Sequence, residues 1–253
     1  MLLQSPMLLL IVAFAMLWVP LGQHTFLIEH WMKLGTFMAP FILLVAFSFR
    51  LEPTVAPKTN VRFLSLIMLV AYIAHQFEEH WIDLYGNTFA FKTYLNSMLL
   101  SQLGATDGAV ILLSDAGIFM INTSLVWLLA SLAICLGSRN IFPALCMTAI
   151  ILVNAFSHII ASISSLNYNP GVLTAIVIFI PTGVLIYAWF LQSKTASLPA
   201  VGASIVWGIL AHIFMVSGII LSGWNQLIPE VVYFGFLVIW SVVPAIYHQS
   251  NDH

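Results

Sequence analysis

Residues 62–83 read RFLSLIMLVAYIAHQFEEHWID. From Phe63 to Ala74 the run is almost wholly apolar. It then gathers His75, Gln76, Glu78, Glu79, His80 and Asp83 within nine positions. A membrane-spanning helix needs about 20 mostly apolar residues. An ionisable side chain inside one costs about 2.5–3.5 kcal/mol on insertion scales, so it needs a partner or a purpose. The stretch therefore reads as a spanning helix with a polar site at one end.

The rest of the chain agrees. Its 253 residues hold 7 Lys+Arg and 9 Asp+Glu, only 6% charged, and 61% are hydrophobic. Soluble domains carry roughly 25% charged residues. This balance excludes a soluble enzyme, a disordered chain and a nucleic-acid binder, which needs a basic surface. The expectation is an all-α polytopic transmembrane helix bundle, one domain over residues 1–253, whose first partner is the lipid bilayer. Eight apolar stretches are long enough to span: 6–22, 34–50, 62–84, 109–136, 140–166, 171–191, 199–222 and 230–248, or seven if the first is removed. The N-terminal stretch has no Lys or Arg before Lys33. It lacks the basic region of a signal peptide and is read as a retained span. Breakers mark the loops, among them Pro53 to Pro57, Gly104 to Gly108 and Asn169-Pro170-Gly171. Cys135 and Cys146 lie in apolar runs and form no metal-type spacing.

Arg50, Lys58, Arg62, Arg139 and Lys194 fall in loops on one side, and Lys33 and Lys92 on the other. The positive-inside rule then places both termini in the cytoplasm of a bacterial-type cell membrane. Glu29-His30-Trp31 echoes Glu79-His80-Trp81 at the same face, as interfacial anchors would.

Glu78 and Glu79 stand three and four residues after His75, on one helix face, with His80 expected to point away. Asn154 and His158 are likewise four apart. At ~1.5 Å rise per residue, His75 lies ~20 Å and Glu79 ~26 Å from Arg62. By the same rise His158 lies ~27 Å from Asn140, and His212 ~20 Å from Pro199. These groups share the half of the bilayer opposite the basic loops. Asp115 is expected at similar depth.

These residues resemble the HXXEE-motif membrane protein family, of unknown function. His75-Gln76-Phe77-Glu78-Glu79 fits its signature. Asn154-Ala155-Phe156-Ser157-His158, Tyr168-Asn169-Pro170-Gly171 and a span containing Pro181 look like its second block. The resemblance covers residues 70–190 and leaves 199–248 as a C-terminal two-helix extension. It implies a multi-pass membrane protein and brings no reaction with it.

Three functions fit the residue pattern. One is a membrane-embedded metalloenzyme, hydrolase-like, acting on an apolar or lipid-like substrate. His75, His158 and His212 would be nitrogen ligands of zinc or iron, with Glu78 or Glu79 the oxygen ligand and the other glutamate the general base. Asn154 and Asp115 would support them. The second is a transporter or channel moving protons or a cation through the same cluster. The third is a non-catalytic assembly or lipid-binding protein.

Overall fold

The computed structural model describes Pro20 and residues 23–50, 60–104 and 111–247. The first expected span, 6–22, lies outside them apart from Pro20. Among the described residues the chain is helical. Its elements are α1 (Thr25–Arg50), α2 (Asn60–His80), α3 (Ala90–Gln102), α4 (Asp115–Arg139), α5 (Phe142–Ser165), α6 (Val172–Gln192), α7 (Leu198–Trp224) and α8 (Glu230–Ile246). Six of these, all but α3 and the 17-residue α8, are long and apolar enough to cross a membrane. The architecture is that of a multi-pass membrane protein.

Burial separates the helices by role. α1 exposes Phe37, Phe41 and Leu44 along its outer face, as a lipid-facing helix does. α5 is buried along its first half, from Phe142 to Ile151. It packs along α7, against α4 and α6, and beside α2, while α1 lies along α2. Gly208 of α7 meets Ala149 of α5 so closely that a Cβ there would sit 2.9 Å from the Ala149 Cβ. Small residues let membrane helices approach in this way.

The structure corrects the expected boundaries in three places. The second span begins at Thr25 rather than 34, so Glu29, His30 and Trp31 ride on the helix itself. Trp31 is buried against the His80 ring, 5.5 Å between centroids, and is no interfacial anchor. Residues 90–102, expected as loop, form α3. Its Phe91, Leu95, Met98 and Leu99 recur at helical spacing and pack on the core. The Asn96 side-chain oxygen pins α3 by accepting from the backbone N–H groups of Leu112 (2.8 Å) and Leu113 (2.9 Å).

The third correction concerns Asp115. The helix expected from 109 starts at Asp115, because Ser114 caps it by accepting from Gly117 N–H at 2.9 Å. Asp115 is exposed in the first helical turn and pairs with Lys92 at 2.8 Å. It takes no part in the cluster of His75, Glu79 and His158.

Three single π-helical turns interrupt the spans, at Thr123–Leu128, Ala175–Phe179 and Ile220–Trp224. Such turns occur often near functional sites. The second begins one residue after Thr174, which contacts His75.

Replacing Asn96 by Ala orphans two backbone donors, a loss of about 1–3 kcal/mol. The expected outcome is faster amide exchange at Leu112, Leu113 and through α3, with exchange in α5 unchanged. Exchange that accelerates equally in α5 would show that the clasp is not local.

Candidate metal centre

α2 and α5 bring His75, Glu79 and His158 together. Their ligand atoms all lie within 4.8 Å of one another, and all three residues are buried. Glu79 Oε1 stands 2.9 Å from His158 Nε2 and 3.4 Å from His75 Nε2. The two imidazole rings meet edge to face at 4.9 Å, and Phe179 packs on His75 at 4.2 Å.

The outer hydrogen bonds fix Nδ1 of each ring as a donor. Asn169 donates its amide N–H to the His158 backbone carbonyl at 2.9 Å. Its side-chain oxygen therefore faces the ring and accepts from His158 Nδ1–H at 2.6 Å. The Thr174 hydroxyl lies 2.6 Å from Glu78 Oε2 and 3.1 Å from the Gly171 carbonyl. Both are acceptors, so Thr174 spends its one hydrogen there and accepts from His75 Nδ1–H at 2.8 Å. The neutral forms of both rings thus turn unprotonated Nε2 atoms toward Glu79. Asn154, which donates to the Tyr72 hydroxyl at 3.0 Å, also lies 3.3 Å from His75 Nε2 and supports the same tautomer.

A third imidazole approaches from the other side. Trp127 Nε1–H can only donate, and it donates to Gln76 Oε1 at 3.0 Å. Gln76 then donates to Asn122 Oδ1 at 2.9 Å. Asn122 in turn donates to the Ile118 carbonyl at 2.9 Å and to His80 Nε2 at 3.1 Å. His80 Nε2 is thereby an acceptor, 3.3 Å from Glu79 Oε2. The expectation that His80 points away from the cluster is corrected: it is buried and touches the second carboxylate oxygen, because a neighbour on a helix is only about 100° away.

Glu78 is elsewhere engaged. Its Oε1 accepts from the Tyr168 hydroxyl (2.9 Å) and Leu173 N–H (3.2 Å), and its Oε2 from Thr174 N–H (2.8 Å) and the Thr174 hydroxyl. It is an anion seated at the N-terminus of α6, where unpaired N–H groups and the helix dipole favour it. Burial, reinforced by Glu78, raises the pKa of the Tyr168 phenol, which remains the donor to that carboxylate. With both oxygens saturated, Glu78 holds the loop and has no lone pair left for a general base. Asp83 is also structural: it accepts from the backbone N–H groups of Tyr85 and Asn87 and closes the turn after α2.

Gly171 roofs the cluster. Its φ is +100°, and a Cβ there would lie 2.7 Å from His158 Cε1, 2.9 Å from Glu79 Cγ and 2.9 Å from His75 Cε1. Sequence reading took Asn169-Pro170-Gly171 as a breaker and as part of the family's second block, without a role at the site. The signal of its role was an Asn two residues before a Gly beside a histidine-bearing helix end.

His212 does not join the converging ligand atoms. It lines the cavity beside them, its Nδ1–H donated to the Gly208 carbonyl at 2.9 Å. That cavity, about 210 Å³, runs between α3, α4, α5 and α7. Glu79, His80, Asn122, Asn154, His158 and His212 give it polar groups, and the remaining walls are mostly apolar, such as Leu95, Met98, Ile121, Leu125, Ile150 and Ile219.

Residues 66–187, just under half of the chain, match the family model described as a protein of unknown function with HXXEE motif. The resemblance read from the motif therefore holds, over nearly the stretch expected. No curated protein and no solved structure matches the chain.

Gly171→Ala adds overpacking worth about 1–3 kcal/mol and a strained φ. It should lower the thermal unfolding midpoint in detergent clearly more than Gly202→Ala, where a Cβ meets nothing within 4 Å. Equal effects would contradict the close roof.

Proposed function

Taking residues 66–187 as an HXXEE segment, we propose that the protein is a membrane-embedded metalloenzyme, hydrolase-like, acting on a lipid-like substrate. One observation carries this reading. Glu79 Oε1 and the Nε2 atoms of His75 and His158 converge as three electron-pair donors with no proton fixed between them. Such a set calls for a positive centre. Two neutral imidazoles and one carboxylate are the protein ligands of catalytic zinc sites that keep an open position. They are also those of the non-haem iron triad.

The surroundings support a metal ligand set. Metal-binding histidines characteristically donate their second N–H to an oxygen that fixes the tautomer. Asn169 does this for His158, and Thr174, backed by Glu78, does it for His75. A divalent ion there would polarise a carbonyl or phosphoryl oxygen and activate water. Glu79 takes the oxygen-ligand place. Glu79 Oε1 would ligate, leaving Oε2 as the carboxylate oxygen able to accept the proton of a bound water. The cavity beside Glu79 and His158 admits an apolar chain. With the basic loops cytoplasmic, the site lies in the outer half of the bilayer of the cell membrane.

Purified protein loaded with zinc or ferrous iron should hold near-stoichiometric metal by elemental analysis. His75→Ala, His158→Ala and Glu79→Ala should each lose it. Asn169→Ala should weaken affinity by roughly 10–100-fold, the usual effect of removing a group that orients a ligand. His212→Phe should retain the metal. A well-folded native protein that takes up neither metal overturns the reading. Proton or cation flux in proteoliposomes, abolished by Glu79→Gln, would favour transport instead.

A further inference from the structure

His212 stands on α7, beyond the matched segment, and takes no part in the converging ligand set. Its ring is nevertheless oriented. The Gly208 carbonyl can only accept, so His212 Nδ1 carries the hydrogen of that 2.9 Å bond. The neutral ring then presents Nε2 as a bare lone pair, and among the described residues no side chain or backbone group donates to it. His212 is half-buried and lines the cavity, so this acceptor is open to whatever fills it. The ring lines the same cavity as Glu79 and His158, among apolar residues of four helices.

We infer that His212 reads the headgroup of the cavity's occupant, accepting a hydrogen bond from a free hydroxyl of a single-chain amphiphile. The inference deepens the proposed function, since the hydroxyl would then sit near the bond presented to the metal cluster. Two features set the class. A bare lone pair selects an O–H donor over an ether or ester oxygen, which can only accept. A cavity of about 210 Å³ is smaller than the roughly 300–1,000 Å³ of drug-sized pockets. It suits one hydrocarbon chain and not the two of a bilayer lipid. Leu95 and Met98 of α3, facing Val216 and Ile219 of α7, supply the walls for that chain. His212 is thus a specificity-determining residue, distinct from the metal ligands.

The test uses dodecan-1-ol and its methyl ether in equal amounts, with protein-bound probe counted by native mass spectrometry. The native protein should favour the alcohol by about tenfold, the worth of one hydrogen bond of about 1.4 kcal/mol. His212→Phe should bind both probes equally, at undiminished total occupancy. His212→Gln, whose amide oxygen still accepts, should retain the preference. Equal occupancy in the native protein overturns the inference, as does an unchanged preference in His212→Phe. The native comparison decides alone if the Phe variant does not fold. Neither probe carries a carbonyl or phosphoryl group to hydrolyse, and counting with and without chelator separates this result from the presence of metal. The two readings therefore fail independently.

Discussion

Glu79 sits in the interior of the bundle with imidazole nitrogens on both sides: His75 and His158 against one oxygen, His80 against the other. A carboxylate in that setting cannot be left to itself, because taking a charge out of water without compensation is among the most expensive things a fold can do. In their neutral forms these rings offer Glu79 electron pairs, so the close contacts are compensated by positive charge, whether a proton on a ring nitrogen or a bound cation. The packing of α2 against α5, and of the loop before α6 over both, makes sense as the scaffold for that requirement.

The direction of the hydrogen bonds is set from the periphery inward. Trp127, an obligate donor, orients Gln76, which orients Asn122, which orients His80. The His158 backbone carbonyl orients Asn169, which orients the His158 ring. Glu78, held by backbone N–H groups of α6, orients Thr174 and through it His75. Each chain begins at a group with only one option and ends at an imidazole, at Nε2 of His80 and at Nδ1 of His158 and His75. Ordered polar networks of this kind polarise along their length and fix one conformation. The two adjacent glutamates divide the work: Glu78 builds the loop, and Glu79 faces the centre.

Much of this was legible in the sequence, for a specific reason. In a chain nearly free of charge, each ionisable residue in an apolar run is conspicuous, and helical spacing puts His75 and Glu79 on one face. Depth counting matched α2 with α5 because both are near full span length and both start on the side of the basic loops. Less was legible where contacts cross between helices. The role of Gln76 depends on Trp127, 51 positions away, and nothing local announces it. Glu78 and Glu79 are indistinguishable by type, and only the placement of Thr174 separates them. Asp115 misled because a helix start was placed before its Ser114 cap. α3 escaped because its apolar residues are too few and too interrupted by Lys92 and Asn96 to suggest a span.

The matched segment ends at residue 187, before α7 begins. His75, Glu79, His158 and the loop that roofs them all fall inside it. The wall opposite them, with His212, does not. The cluster and the α7 wall of the cavity thus fall on either side of the end of the matched segment. A chain sharing only the first would inherit the cluster while furnishing the cavity with a different partner helix. α7 is then the part of the cavity lining that can change while the cluster is left in place.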